Sequence, residues 1–249
     1  MPDRAGPLAP HPDLTDYYAR SEERPKFVRD IFDNCAPWYE WMIAAPSLGS
    51  GSWYRADALR RHGWREGLRL LDLATGTGVV GRAALATTHG QGRVIGVDPS
   101  LGMLLEARQG PLRARLVQAT GTRLPFADGS FDMISVGFAM RHFGDLNLAF
   151  GEMRRVLAPE GTLLVLEITP PRSRIARALL GAYMGRLVPL MARLRTGSAE
   201  AEKLMRYYWD TTIQCVPPET ILAAMRDAGL TAPRRDVQLV VFSEYNARA

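Results

Sequence analysis

Short apolar runs alternate with longer amphipathic stretches along the middle of this chain of 249 residues. The short runs predict strands, and the stretches with apolar residues at three- and four-residue spacing predict helices, most regularly from Asp145 to Leu157. The predicted strands span residues 69–73, 93–97, 114–118, 131–136, 161–167 and 239–245. Strands that alternate with helices form a mostly parallel sheet with helices on both faces. This α/β pattern places ligands beyond the carboxyl ends of the strands.

Helical segments flank and interrupt the alternating region. Residues 21–65 predict an N-terminal helical cap, whose helices are expected to break near Pro37. Residues 173–212 predict a helical insertion or lid without strands. The proline-rich residues 1–20 predict a flexible lead, which leaves residues 21–249 as a single domain.

Composition excludes several classes of protein. The hydrophobic share of 47% is ample for a buried core, and no stretch is expected to be long and apolar enough to cross a bilayer. Residues 1–12 lack the apolar centre of a signal peptide, and two cysteines are too few for a disulfide framework, so a cytoplasmic location is expected. The net charge of +5 is spread over scattered arginines without a nucleic-acid motif, so no nucleic-acid partner is expected.

The most informative stretch runs from Leu70 to Gly81, where an apolar strand containing Asp72 leads into a turn built on Gly76 and Gly78. Glycines at such a turn let the backbone approach a ligand closely, and the amides of the following helix point at that ligand. The next strand ends at Asp98, whose carboxylate can accept hydrogen bonds from both hydroxyls of a ribose. These two signals predict a cofactor that contains a nucleoside.

The position of Asp72 helps to distinguish between nucleoside cofactors. The spacing of Gly76, Gly78 and Gly81 satisfies the dinucleotide pattern, which would suit a nicotinamide-dependent reductase. The Asp72 carboxylate would repel a pyrophosphate at this turn, whereas it would favour a cationic amino or sulfonium group. The residues therefore favour a cofactor with a positively charged end, and the reductase stays open as an alternative.

Three segments in this order resemble the motifs of class I S-adenosylmethionine-dependent methyltransferases. Asp72–Gly78 is similar to the first motif, Asp98–Met103 to the second, and Leu124–Asp132 to the segment before the fourth strand. The resemblance implies a Rossmann-like fold with a mostly parallel seven-stranded sheet, S-adenosyl-L-methionine as cofactor and S-adenosyl-L-homocysteine as product. The cofactor-binding residues that it implies are Asp72, Ala74, Thr75, Gly76, Gly78, Asp98, Pro99, Ser100, Met103, Thr120, Gly121, Val136 and Gly137.

Other segments resemble one family within this superfamily, the ubiquinone/menaquinone biosynthesis C-methyltransferases. Arg155–Thr169 is similar to a family signature, Phe138–His142 to its Phe-Gly-(Ile/Leu)-Arg-Asn motif, and Tyr208–Ile213 to a third segment. The resemblance extends from Lys26 to the C-terminus. It implies C-methylation of an apolar or aromatic small molecule of quinone-like or polyketide-like type.

The sequence departs from the family pattern mainly where the acceptor would bind. Ile43, Gly51 and Tyr54 replace the asparagine, histidine and tryptophan of an early signature, and His142 replaces an asparagine. Thr120 stands where an acidic residue often meets the adenine amino group. Methylation of oxygen or nitrogen in a specialised metabolite or lipid therefore stays open, as does a cofactor-binding protein repurposed away from methyl transfer.

Methylation of an aromatic carbon needs a base near the neighbouring hydroxyl and a cation that stabilises the phenolate. Arg141 is the candidate cation, and Tyr39 is a candidate hydrogen-bond donor to the acceptor. His142 is the candidate base, because the ordinary pKa of histidine is near neutrality. Each has a structural alternative, since Arg141 can pair with an acid, His142 can cap a helix and Tyr39 can pack. The remaining histidines, which show no metal-ligand spacing and are expected at the surface, are His11, His62 and His89.

The apolar segment Ile175–Leu194 carries Arg177, Arg186 and Arg193 and is expected to break at Pro189. Basic amphipathic helices bind membrane surfaces, so peripheral membrane contact is one interpretation. A lid over a greasy acceptor, ordinary core packing and a contact within a homodimer are the others.

Overall fold

A seven-stranded sheet forms the centre of the molecule. The computed structural model describes residues 7–46, 49–112 and 115–249. Within these residues the strands lie in the order β3-β2-β1-β4-β5-β7-β6, and apolar clusters cover both faces. The strands are β1 Arg69–Leu73, β2 Arg93–Asp98, β3 Leu116–Gln118, β4 Phe131–Gly137, β5 Leu157–Ile168, β6 Thr231–Gln238 and β7 Phe242–Arg248. This architecture confirms the α/β class and the Rossmann-like fold that the resemblance implies.

Parallel pairing brings the carboxyl ends of the central strands to one edge of the sheet. β1 lies between β2 and β4, so that Leu73 pairs with Val97 on one side and with Val136 on the other. β5 continues the parallel arrangement, whereas β7 runs antiparallel between β5 and β6. The strand order reverses between β1 and β4, and the loops that follow these two strands therefore diverge and leave a crevice.

Most of the helices pack their apolar faces on the sheet or on one another. They are α1 Arg24–Ala44, α2 Gly51–Arg61, α3 Val79–Thr87, α4 Leu101–Ala107, α5 Leu146–Val156, α6 Arg174–Ala182, α7 Val188–Thr196, α8 Ala199–Ile213 and α9 Pro218–Asp227. α5 and α9 contribute to the core on one face of the sheet, and α2 and α3 to the core on the other. α1, α7 and α8 share a third apolar cluster beside the sheet.

The two C-terminal strands differ most from the prediction. β6 is absent from the predicted set because its sequence is mostly polar, and it is held by antiparallel pairing with β7. Leu239 and Val240, expected to begin the last strand, instead form the hairpin turn with φ of +48° and +69°. β3 begins at Leu116, and residues 113–114 lie outside the described residues.

Neither predicted proline break occurs. α1 continues through Pro37, and α6 joins α7 through a π-helical turn, Tyr183–Leu187, directly before Pro189. Proline removes one N–H donor from a helix, but tertiary packing can hold the helix, and a wider turn accommodates the ring. Arg174–Thr196 therefore forms a helical segment that is long and apolar enough, by length and composition, to cross a membrane, contrary to the expectation for this chain.

Residues 7–20 pack on the domain instead of forming the predicted flexible lead. Leu14 and Tyr18 are buried in an aromatic cluster against Tyr207 of α8. Burial of these apolar groups offsets the conformational entropy that a free segment would keep. Residues 1–6, the start of the predicted lead, lie outside the described residues.

Candidate active site

A large cavity opens at the carboxyl edge of β1, β2 and β4, where the sheet order places a ligand. Its volume of about 1200 Å³ exceeds the range of roughly 300–1,000 Å³ that is common for sites holding one small molecule. The loops after the strands form one wall, and α1, α2 and the helices from α6 to α8 form the opposite wall. The cavity therefore has room for two molecules.

The loop after β1 lines the floor of this cavity and uses left-handed backbone at three positions. Ala74, Gly76 and Gly78 have φ of +55°, +56° and +85°. Glycine adopts this conformation without steric cost, whereas for alanine it is strained, as is common at functional turns. A Cβ added at Gly78 would also come within 3.1 Å of the Leu112 side chain. The glycines are thus required by the shape of the loop itself.

Asp72 holds this loop in place and does not line the cavity. Its buried carboxylate accepts hydrogen bonds from the Thr75 hydroxyl at 2.6 Å, the Gly81 amide at 2.9 Å and the Ser135 hydroxyl at 3.1 Å. Burial raises the pKa of Asp72 to about 6, although the three donors act in the opposite direction. Because its oxygens are used by the protein, the predicted contact of Asp72 with the cofactor is replaced by a structural role.

Asp98, at the end of β2, faces the cavity. One carboxylate oxygen accepts a hydrogen bond from the Gly76 amide and the other from the Ser100 amide, each at 2.8 Å. Burial raises the pKa of Asp98 to about 6. A carboxylate has about four acceptor positions, so positions remain for the two hydroxyls of a ribose.

Asp33 of α1 stabilises the loop after β2 through two hydrogen bonds. Its carboxylate accepts hydrogen bonds from the Ser100 hydroxyl at 2.5 Å and from the Gly102 amide at 2.8 Å. Ser100 in turn caps α4 by accepting a hydrogen bond from the Met103 amide. The Ser100 hydroxyl is therefore occupied by protein partners. Asp33 belongs to no motif, so the sequence carries no signal for this role.

Most of the predicted cofactor-binding residues line the cavity. They are Ala74, Thr75, Gly76, Asp98, Pro99, Ser100, Met103, Thr120, Gly121 and Gly137. The exceptions besides Asp72 are Gly78, which precedes α3, and Val136, which is fully buried in β4. Thr120 has an exposed side chain, and its hydroxyl oxygen lies 3.3 Å from that of Thr122.

Arg141 does not line this cavity. Its guanidinium forms an ion pair with Glu167, donates to the Thr211 hydroxyl at 3.2 Å and lies over Tyr208, with Cζ 3.9 Å from the ring centre. Both members of the ion pair are buried. A buried carboxylate depends on its cation, so Arg141 is committed to Glu167. The structure thus corrects the predicted oxyanion role and favours the structural alternative.

His142 lines the cavity, but it does not titrate near neutrality as predicted. Burial, together with the positive charges of Arg141 and Arg24, holds the pKa of His142 well below its usual value. The ring stacks on Tyr207 at 5.4 Å and meets Phe32 edge-on at 5.3 Å between ring centres. Neither ring nitrogen has a hydrogen-bond partner among the described residues. The lowered pKa makes His142 a poor proton acceptor, which argues against the predicted role as general base and favours a neutral hydrogen-bonding role.

Tyr39, Tyr208 and Arg55 add polar groups to the helical wall. Tyr39 lies close to Gly76, where an added Cβ would be 3.8 Å from the tyrosine ring, and burial raises the pKa of Tyr39 so that its hydroxyl stays protonated. Arg55 of α2 places Cζ 4.8 Å from the ring centre of Phe138. Tyr208 lies in a segment that carries the family resemblance, whereas a single arginine in a helix gives no sequence signal.

Much of the remaining wall is apolar and aromatic. The helices contribute Phe32, Met42, Trp53, Tyr54, Leu180, Tyr183, Met184, Val188 and Met205, and residues at the ends of strands contribute Phe138, Val241 and Phe242. Water leaves such a surface readily, so this wall fits an apolar, aromatic molecule.

Of the other three histidines, which were all predicted at the surface, one is exposed. His89 is exposed, whereas His11 is buried and His62 hydrogen-bonds to Glu244 at 2.8 Å. Within the described ranges, no three metal-ligating side chains are grouped so that they could hold an ion.

The geometry fits a nucleoside cofactor beside a second molecule. Asp98 keeps acceptor positions for a ribose, the strained loop brings the backbone to the cavity, and the apolar wall receives the other reactant. The fold and this cavity define a class I S-adenosylmethionine-dependent methyltransferase. The sequence model of the ubiE/COQ5 methyltransferase family matches residues 19–237, and the chain belongs to this family.

Similar proteins agree with this classification. The chain is 31% identical over 216 residues to the ubiquinone/menaquinone biosynthesis C-methyltransferase UbiE of Geobacter sulfurreducens, covering 84% of this chain and 83% of the relative. It is 33% identical over 206 residues to the demethylmenaquinone methyltransferase of Thermus thermophilus, covering 81% and 91%. Its fold is similar to that of phosphoethanolamine N-methyltransferase 2 of Haemonchus contortus in complex with S-adenosyl-L-methionine. That comparison has a TM-score of 0.61 and 17% identity, and it covers 87% of this chain and 57% of the other.

The role of Asp98 predicts a pH-dependent affinity for S-adenosylhomocysteine. As the pH falls below about 6, Asp98 becomes protonated and accepts fewer hydrogen bonds, so affinity should fall. Asp98→Asn should bind ~10- to 100-fold more weakly at neutral pH, the value of one charge-assisted hydrogen bond. Calorimetry over a pH series should show that the affinity of Asp98→Asn no longer falls as the pH is lowered. The control Asp128→Asn, at an exposed site, should keep the pH dependence of the wild type. An unchanged slope in Asp98→Asn would contradict the assignment.

Proposed function

We propose that this enzyme transfers a methyl group to a carbon atom of an apolar, hydroxylated aromatic molecule of quinone-like or polyketide-like type. The observation that carries the proposal is the division of one cavity of about 1200 Å³ between a polar floor of strand-end loops and an apolar helical wall. The names of two relatives, a ubiquinone/menaquinone biosynthesis C-methyltransferase and a demethylmenaquinone methyltransferase, support transfer to carbon and a quinone-like acceptor.

The strand-end loops would hold the cofactor. Asp98 would bind the ribose hydroxyls, and Thr120 and Gly121, which follow β3, would lie beside the adenine. Since β3, β2, β1 and β4 are neighbours in that order, the amino-acid end would extend towards Gly76 and Gly137. When bound, the cofactor supplies an electrophilic methyl group on a sulfonium.

The helical wall would orient the acceptor. The Tyr39 hydroxyl, kept protonated by burial, would donate a hydrogen bond to an acceptor oxygen. Neutral His142 would accept one from the acceptor hydroxyl. As the new carbon–carbon bond forms and the carbon–sulfur bond breaks, the ring carbon would lose its hydrogen as a proton, which would pass to solvent. The apolar wall excludes water and fixes the ring against the methyl donor, so that positioning supplies much of the rate.

The proposal predicts the site of methylation directly. Wild-type protein, methyl-labelled S-adenosylmethionine and a panel of alkylated hydroquinones and naphthols should give a product with the label on ring carbon, as read by NMR. Phenol ethers or primary amines as the labelled products would contradict transfer to carbon. Absence of any product with a cofactor-loaded protein would contradict the acceptor class.

His142→Ala should lower kcat/KM by about 2- to 10-fold, since one neutral hydrogen bond contributes ~0.5–1.5 kcal/mol. Loss of a general base would cost about 10²–10⁴-fold. His142→Asn should retain more activity, because an amide both donates and accepts. Single-turnover rates against pH should show no inflection from this residue near the ordinary histidine value of about 6.5. Such an inflection in the wild type, absent from His142→Asn, would restore the base role.

The proposal includes reversible contact with an anionic bilayer surface. Residues 168–199 contain no acidic residue and six arginines, Arg172, Arg174, Arg177, Arg186, Arg193 and Arg195. The net charge of the whole chain is +5, so this segment accounts for the entire positive excess. All six arginines are exposed. This charge distribution complements anionic headgroups.

The same helices expose an apolar stripe. It consists of Ile175, Leu179, Leu187, Leu190 and Leu194. The same helical segment also lines the cavity through Leu180 and Tyr183. Trp53 and Leu239, which are 64% and 70% exposed, line the cavity as well and therefore lie at its mouth. An enzyme of the cytoplasm docked by this stripe would receive a lipid-soluble acceptor from the bilayer.

Vesicle sedimentation tests this surface. The protein should bind phosphatidylcholine vesicles that contain phosphatidylglycerol more tightly than pure phosphatidylcholine vesicles. Arg174→Gln combined with Arg186→Gln should weaken binding by about 2 kcal/mol, since each arginine near an anionic surface contributes ~1 kcal/mol. Arg60→Gln with Arg65→Gln, at exposed positions elsewhere, is the matched control. Equal binding by both pairs would contradict the surface, as would a homodimer that buries the stripe in solution.

A further inference from the structure

Arg55 is a cation in the cavity wall that lacks an acidic partner among residues 7–46, 49–112 and 115–249. Its Nε is buried without a hydrogen bond, and its guanidinium lies over Phe138 with Cζ 4.8 Å from the ring centre. The Arg55 side chain is only partly exposed, and burial lowers its pKa. A desolvated cation of this kind is stabilised when an anion enters the cavity.

The other basic side chains of the cavity wall already have carboxylate neighbours. Lys26 forms an ion pair with Asp30 at 2.6 Å, and Arg29 approaches the same carboxylate at 3.5 Å. Both side chains are also substantially exposed, at 75% and 48%. Asp72 is the carboxylate whose charge acts most strongly on Arg55. Its oxygens, however, already accept hydrogen bonds from Thr75 and Gly81. Arg55 is therefore the lining cation that is available to a ligand.

The strand order indicates which anion arrives there. A ribose on Asp98 lies at the end of β2, and the adenine side lies towards β3. The remaining end of the cofactor must then point towards β1 and β4, where Phe138 directly follows β4 and supports Arg55. Phe138 has a left-handed φ of +62°, an uncommon conformation for an aromatic residue. This strained position holds its ring beneath the guanidinium.

We propose that Arg55 binds the carboxylate at the amino-acid end of S-adenosylmethionine, with the Tyr208 hydroxyl completing the anion subsite. The inference rests on the proposed function, because it requires the cofactor to bind along the strand ends. It accounts for an unpaired cation that no structural contact explains. The amino-acid end would thereby be fixed beside the acceptor wall, which orients the sulfonium methyl group.

Calorimetry with three probes tests the subsite without any acceptor. S-adenosylmethionine and S-adenosylhomocysteine carry the carboxylate, whereas 5′-methylthioadenosine has the nucleoside alone. Arg55→Met should weaken binding of the first two by ~10- to 100-fold and leave 5′-methylthioadenosine unchanged. Arg55→Lys should recover part of the affinity, because an ammonium keeps the charge but not the forked donors. Arg60→Met, on the same helix and exposed, should behave as the wild type.

The outcomes separate this inference from the proposed function. Unchanged binding of 5′-methylthioadenosine also shows that the Arg55→Met variant is folded. Equal affinity of wild type and Arg55→Met for S-adenosylhomocysteine would overturn the carboxylate assignment. If Arg55→Met raised only the KM for the acceptor, the anion that Arg55 binds would belong to the acceptor instead. Failure of the wild type to bind any of the three nucleosides would overturn the proposed function itself.

Discussion

The Asp72 carboxylate is the interaction on which the cavity depends. Its hydrogen bonds join the loop after β1 through Thr75, the first turn of α3 through Gly81 and the central strand β4 through Ser135. These three donors are buried, and each would lose its partner if the carboxylate were absent, at a cost of about 1–3 kcal/mol apiece. Because Asp72 fixes the floor, the loop amides and Asp98 can face the cavity in a set orientation.

Two arginines in the described part of the chain differ in whether the protein itself supplies a counter-charge. Arg141 and Glu167 form a buried ion pair between the short helix after β4 and the end of β5. Arg55 is only partly buried, in the wall of the cavity, and has no such partner within the described part of the chain. Since a charge without a counter-charge is costly to bury, this difference between Arg141 and Arg55 is the observation on which the proposed role of Arg55 rests.

The pattern of apolar and polar residues predicted those strands and helices that depend mainly on their own sequence. β1 and β2 are short apolar runs with an acidic residue at or next to the last position, and α5 begins where the Asp145 side chain accepts hydrogen bonds from the helix amides. β6 was missed because its polar sequence is stabilised by its neighbour β7. The helices through Pro37 and Pro189 and the burial of Leu14 likewise depend on tertiary contacts, which no periodicity along the chain records.

The same division applies to the site. Gly76 and Asp98 could be placed from the sequence because the backbone turn and the strand end restrict which residue types fit there. The state of His142 could not, since its pKa is lowered by burial and by Arg24, which is distant in the chain. The sequence could not single out Arg55 either. What distinguishes Arg55 is the absence of an acidic partner within the described residues, and no spacing of residues along the chain indicates this.

A crystal structure with S-adenosylhomocysteine tests the central claim most directly. The account predicts the ribose hydroxyls on the Asp98 carboxylate, the nucleoside extending from β3 towards β4, and Asp72 still bonded to Thr75, Gly81 and Ser135. A nucleoside bound outside this cavity, or an Asp72 carboxylate that leaves the loop to contact the ligand, would contradict it.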